Sequence, residues 1–183
     1  MGATQFRLLA TLGLRETHKL LDFGCGSLRA GRLLIPYLDA GCYHAVEPNR
    51  WLIDDCVARH LGAGILDLKS PRFSDNADFT VPFDDVRFDF ILAQSIFSHT
   101  GVDIVEKLLG EFARVLAPQG IVALTFSICA DGKDFTGQGW VYPACVRYSV
   151  ANVVAMARRV GLTAVPTPYF HPSQMWFVLA RDP

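Results

Sequence analysis

The strongest constraint on the fold is a short run, Leu20 Leu21 Asp22 Phe23 Gly24 Cys25 Gly26, followed twenty-one residues after its last glycine by an isolated acid, Glu47. The apolar residues predict a buried strand. The two glycines predict a sharp turn at its end, where a residue without a Cβ lets backbone approach a ligand closely. Glu47 ends a second apolar run, Tyr43 His44 Ala45 Val46, where a carboxylate can accept from both hydroxyls of a ribose. Together the two features read as a nucleotide cradle.

The rest of the chain alternates in the same way. Phe6, Leu8, Leu9, Leu12 and Leu14 predict an amphipathic helix in a lead-in over 1–17, before a first strand at about 19–23. After the glycine turn, Leu28, Leu33, Leu34, Ile35 and Leu38 recur at helical spacing, with Pro36 shortening the last turn. A second strand over 42–47 ends at Pro48, and Asn49 is the expected N-cap of a helix reaching Leu61 before Gly62. Residues 65–87 are expected to be mostly loop, with one short strand at 72–74. The run Phe88 Asp89 Phe90 Ile91 Leu92 Ala93 predicts a buried strand. Thr100 and Asp103 predict a capping pair for a helix carrying Ile104, Leu108, Phe112 and Leu116, stopped by Pro118 and Gly120. A strand over 121–126, a helix opened by Ser149 and closed by Gly161, and final strands at 162–167 and 175–180 complete the pattern.

Strands alternating with helices predict an α/β, doubly wound, Rossmann-like sheet of seven mostly parallel strands, the last one antiparallel, with helices on both faces. At 183 residues one domain over 1–183 is the expectation. The near balance of 17 Lys and Arg against 18 Asp and Glu supplies no field to draw the chain to nucleic acid or membrane, and favours a small-molecule partner. Five cysteines with no C-x-x-C pair argue against a disulfide framework. No apolar stretch approaches the roughly 20 residues that cross a bilayer, and no signal peptide is evident, so a cytoplasmic protein is expected. Histidines and cysteines lack metal-ligand spacing, and no hydrolase triad pattern is present.

The glycine turn does not fit a dinucleotide fingerprint. That motif needs a third glycine three residues after Gly26, where this chain has Arg29; the next glycine is Gly31. Leu20 to Gly26, Glu47, the run Phe88 Asp89 Phe90 Ile91 and the stretch Arg114 Val115 Leu116 Ala117 Pro118 Gln119 Gly120 instead resemble the class I S-adenosylmethionine-dependent methyltransferases. The resemblance covers residues 15–181. It departs from the family at Leu28, where many members have a third glycine.

The resemblance implies a cofactor, S-adenosylmethionine, and a set of residues to hold it. Asp22 would accept from its ammonium, the turn Gly24 Cys25 Gly26 would offer backbone N–H groups to its carboxylate, and Glu47, followed by Pro48, would take the ribose. Asp78, before Phe79, is preferred as the acid beside the adenine, with Asp75 before Asn76 as the alternative. Gln94, just after the fourth strand, would line the methionine or acceptor side. The implied activity is methyl transfer to the O or N of a small molecule; the alternative is a binding or scaffold module without turnover. His99 is a candidate base, or a helix-entry histidine bonded to backbone, and His171 is a second candidate. Residues 127–147 form a candidate substrate loop, in which Trp140 and Tyr142 either contact the acceptor or anchor the loop.

Overall fold

The computed structural model describes residues 1–181, and Asp182 and Pro183, at the end of the expected domain, lie outside the described residues. Its elements run in chain order as α1 (Gly2–Thr11), β1 (Leu20–Phe23), α2 (Gly31–Tyr37), β2 (Tyr43–Val46), α3 (Arg50–Cys56), α4 (Gly64–Lys69), β3 (Arg72–Ser74) and β4 (Phe88–Ala93). Then follow α5 (Val102–Val115), β5 (Leu116–Phe126), α6 (Val150–Arg159), β6 (Leu162–Thr167) and β7 (Met175–Arg181). The seven strands form one sheet in the order β3-β2-β1-β4-β5-β7-β6. β7 runs antiparallel to both neighbours, and the other strand pairs are parallel.

Alternation along the strands divides the core between the two faces. Leu21 and Phe23 pack with Val105, Leu108 and Phe112 of α5 and Met156 of α6, whereas Leu20 packs with Leu8 and Leu9 of α1, Leu34 of α2 and Ile53 of α3. This is the period of two that a pleated strand imposes. One register shift, between Phe88 and Phe90 opposite β5, turns Phe88 and Ile91 to the same face.

Several local expectations are corrected. β5 begins at Leu116, directly after α5, not at Ile121; Gly120 passes so close to β4 that a Cβ would lie 2.7 Å from the Phe88 carbonyl oxygen. Residues 65–69, expected as loop, belong to α4, whose Ile65 and Leu66 pack against the face shared by α1 and α2. The Thr100–Asp103 capping pair does not form. Gly101 is the N-cap of α5, Thr100 Oγ1 donates to the Phe97 carbonyl, and Asp103 accepts from Gly139 N–H. Asn49 stands at the N-cap of α3 but donates its side chain to Glu47, and the helix reaches Leu61 only as a π turn over Val57–Leu61. Ser149 does cap α6, accepting from Asn152 N–H.

His44 on β2 is buried between the rings of Phe83 and Phe88, with its Nδ1 unpartnered. Burial, assisted by the nearby Arg72, lowers its pKa to about 4. An unfolded histidine titrates near 6.5, so the unfolded state takes up the proton first as pH falls. The stability this neutral ring allows is present above pH 6.5 and is lost between about 6.5 and 4, amounting to about 3 kcal/mol. Chemical denaturation across that range should show the loss in the natural chain and a flatter limb in His44→Leu; parallel profiles would remove His44 as the cause.

Candidate active site

The order of the sheet reverses between β1 and β4, and ligands in such sheets bind outside the carboxyl ends of the strands at this switch point. Two cavities open there and share Gly24. The larger, about 580 Å³, is lined by Glu47, Pro48, Leu52, Asn76, Phe79, Ile96, Trp140 and Tyr142 among others. The smaller, about 40 Å³, is lined by Gln5, Asp22, Cys25, Gly26, Arg29 and Gln94 as well as Gly24. Gly24 has φ of +71°, and a Cβ there would come within 2.2 Å of Ile96 Cδ1, at the junction of the two cavities.

Asp22 is 4% exposed and accepts from Tyr43 Oη at 2.8 Å. Burial pushes its carboxyl up to about 7; the Tyr43 hydrogen bond opposes the rise and Glu47 adds to it. No cation among the described residues forms a salt bridge with it. Glu47 is also buried. Its Oε2 accepts from Gly26 N–H at 3.0 Å, and its Oε1 accepts from Asn49 N–H and Nδ2 at 2.9 and 3.0 Å. Burial and the two carboxylates hold the Cys25 thiol well above its ordinary pKa, which suits a small turn residue and not a nucleophile.

The glycine turn differs from its expected role. Gly24 and Cys25 both donate to the Val46 carbonyl, at 2.8 and 3.3 Å, and Gly26 donates to Glu47. α2 begins only at Gly31, so no helix N-terminus follows the turn directly. These three N–H groups are therefore engaged within the protein, and the polar residues that line the small cavity beside Asp22 are Gln5, Arg29 and Gln94. Leu28, at the position where the family often has glycine, takes φ of +52° while fully buried. A left-handed, apolar residue thus shapes the loop, its side chain filling space beside Gly31.

Asp78, the preferred acid, is turned away from the large cavity. Its Oδ1 accepts from Thr80 N–H and Oγ1, an exposed turn that holds its carboxyl below the usual range. Asn76 and Phe79 line the cavity in its place, and Phe79 takes φ of +62° to do so. Neither Asp75 nor Asp78 is in the wall.

Residues 127–147 dock along the segment that follows β4. Gly101 and Val102 donate to Gly139 and Gly137 carbonyls, Val141 donates to His99 and Val146 to Ser98. A Cβ on Gly101 would meet Gln138 Cα at 2.4 Å, so glycine permits this approach. The docking delivers Trp140 and Tyr142 to the cavity, with Trp140 5.8 Å from the Phe79 ring. His99 packs against both aromatics and lines neither cavity; its Nδ1 stands 2.7 Å from the Ala144 carbonyl oxygen. A carbonyl can only accept, so Nδ1 carries a proton, and in the neutral ring the lone pair is on Nε2. His171 is arranged oppositely, with Nδ1 accepting from Ser173 and Gln174 N–H, which leaves no free lone pair for a base when neutral.

Sequence reasoning missed Gln5. It lies on the buried face of α1 with Leu8 and Leu9, and its Oε1 is buried without a partner beside the small cavity. A polar residue spaced three and four positions from two core leucines was the available signal. Among the described residues, no cluster of three or more His, Cys, Asp or Glu is placed to hold a metal. No helix there is long and apolar enough to cross a membrane.

This sheet order, with acids at the ends of β1 and β2, is that of the Rossmann-like methyltransferase fold. Residues 21–122 match the model of the methyltransferase domain family, and the chain belongs to that family. It is 31% identical over 113 residues to the uncharacterised protein YmfD of Escherichia coli K12, a match covering 58% of this chain and 49% of that protein. The matched region thus spans about half the length of that relative. Among solved structures, the glycopeptide N-methyltransferase MtfA superposes with a TM-score of 0.74 at 13% identity, covering 100% of this chain and 91% of that one. A TehB-like methyltransferase from Corynebacterium glutamicum superposes with a TM-score of 0.66 at 21% identity, covering 98% and 88%.

Proposed function

We propose that this chain binds S-adenosylmethionine across the two cavities and transfers its methyl group to the O or N of a small-molecule acceptor. The observation that carries the reading is the pair of buried carboxylates, Asp22 in β1 and Glu47 just after β2, in the walls of two cavities that share Gly24. The residues present fit the cofactor. A buried acid with no salt-bridge partner among the described residues and an orphaned Gln5 Oε1 suit an ammonium, Arg29 and Gln94 line the same space, and Gly24, in the wall of both cavities, admits the close approach of Ile96.

In this reading Asp22 and Gln5 hold the ammonium, Arg29 and Gln94 the carboxylate, and Glu47 the ribose. Pro48, Asn76, Phe79 and Ile96 would enclose the adenine, with Asn76 in the place first given to Asp78. Trp140 and Tyr142 would close the large cavity on its outer side and exclude water. When bound, the cofactor supplies a methyl group on a sulfonium, an electrophile that needs positioning more than acid or base assistance. His99, whose Nδ1 is held by the Ala144 carbonyl so that Nε2 is the ring nitrogen left to take a proton, is the base for an acceptor hydroxyl. The near-neutral net charge and five free thiols support a small-molecule acceptor and a cytoplasmic location, with residues 1–183 working as one domain.

Calorimetry with S-adenosylmethionine, followed by assay of S-adenosylhomocysteine release in a metabolite extract, tests the proposal. Binding with product release is the expected result. Binding without product would favour a non-catalytic module, and no binding would overturn the cofactor assignment. In His99→Ala, turnover should fall at least about tenfold with cofactor affinity unchanged; an unaltered rate would leave His99 as a packing partner of Trp140 and Tyr142.

A further inference from the structure

Gln94, just after β4, and His171, between β6 and β7, meet with their polar atoms mismatched. His171 Nδ1 accepts from Ser173 N–H at 3.2 Å and Gln174 N–H at 2.9 Å. A ring nitrogen that accepts hydrogen bonds carries no proton, so the imidazole is neutral and its proton sits on Nε2. Burial, which lowers the pKa of this histidine, favours the same neutral form. The atom facing Nε2 is the Gln94 amide nitrogen, 3.2 Å away, while the Gln94 oxygen is buried without a partner. Two donors therefore face each other beside an orphaned acceptor. A half-turn of the amide removes the clash: the oxygen accepts from His171, and the NH2 takes the orphan's place.

We propose that His171 is a positioning residue, whose Nε2–H holds the Gln94 oxygen and so presents the Gln94 NH2 to the small cavity as a donor for the carboxylate of the ligand's amino-acid end. The proposal rests on the reading of S-adenosylmethionine as the ligand. It assigns both signs of a zwitterion to the cavity wall, with Asp22 and Gln5 Oε1 as acceptors and the turned Gln94 amide as the donor. The turned amide needs such an acceptor, because a buried NH2 without one is as costly as the orphaned oxygen it replaces. The loop carrying His171 is tied to the same region, since Gln174 Nε2 donates to Ser98 Oγ at 3.2 Å. His171 also packs edge-on against Trp176 of β7, 6.1 Å between ring centres.

The test has a ligand-free arm and a binding arm. In the free protein, 15N spectra should show His171 Nδ1 unprotonated and Nε2 protonated; the opposite tautomer overturns the proposal. By calorimetry with S-adenosylhomocysteine, His171→Ala and Gln94→Ala should each lose about tenfold in affinity, and the double variant should be no weaker than Gln94→Ala. His171→Gln, which keeps a side-chain donor, should recover most of the loss. 5′-Methylthioadenosine, which lacks the amino-acid end, should bind all of these proteins alike. Natural affinity in His171→Ala, or losses that multiply in the double variant, overturns the proposal. Failure of the natural chain to bind S-adenosylhomocysteine overturns the cofactor reading instead, while the tautomer still decides the His171–Gln94 pair.

Discussion

Asp22→Asn is expected to stabilise the ligand-free protein at pH 8 and to weaken cofactor binding. The Asp22 carboxyl titrates near 7 in the folded chain, whereas an unfolded aspartate titrates near 3.9. A group whose pKa is raised by folding contributes stability that is complete below the unfolded value and lost as pH rises through the folded one. Between about pH 4 and 7 the folded state therefore gives up about 4 kcal/mol, because it must bury a charge that forms no salt bridge among the described residues. Asparagine fills the same volume, keeps an oxygen to accept from Tyr43, and carries no charge at any pH. At pH 8 the variant should be more stable by about 2 to 4 kcal/mol, and the advantage should vanish towards pH 4. Its affinity for S-adenosylhomocysteine should fall by about tenfold to a hundredfold, because a charged acceptor of the ammonium is gone.

Denaturant titrations at pH 5 and 8, together with calorimetry, check both halves. In the natural chain the affinity should rise with pH up to about 7 and then level, as ionised Asp22 becomes available without protein work. Below pH 7, binding should release a proton, seen as an enthalpy that depends on the buffer. A variant no more stable than the natural chain at pH 8, with binding intact, would remove Asp22 from both roles.

Glu47→Ala should weaken the cofactor by about 1 to 3 kcal/mol and also loosen the turn itself. Glu47 receives three hydrogen bonds, from Gly26 N–H and from the backbone and side chain of Asn49, so its loss strands donors in the wall of the small cavity, at Gly26, and of the large one, at Asn49. A fall in unfolding free energy of about 1 to 2 kcal/mol should accompany the loss of affinity. Glu47→Gln, which retains an acceptor for Gly26, should recover most of the stability but less of the binding, because only the carboxylate can accept from both ribose hydroxyls through two equivalent oxygens. Unchanged calorimetric affinity in Glu47→Ala would take the residue out of the site.

The legible parts of this chain were those that local physics dictates. β1, β2 and β4 could be read because a strand buried on both faces needs a nearly continuous apolar run, and a charge at its end, as at Asp22 or Glu47, then stands out. The start of β5 was hidden because Leu116 to Gly120 breaks the alternation, and a register shift opposite β4 is a property of the pair of strands. α4 was hidden because it buries none of its residues fully and so leaves no strong periodic signature. The orientation of Asp78 was hidden for a related reason: an acid before an aromatic suits a ring-binding loop, and only the fold shows Thr80, two residues on, holding the carboxylate.

Composition and pattern alone determined the α/β class, the glycine turn after the first strand, and the two acids that mark the ends of β1 and β2, because each follows from spacing within a few residues. The partners of those groups were set by contacts between distant segments. Folding brings Glu47 to Gly26, Tyr43 to Asp22, α1 to the small cavity and the β6–β7 loop to Gln94. Hydrogen bonds of that range depend on the register of strands and the docking of loops, so the donors left free for a ligand emerge only when the whole sheet is assembled.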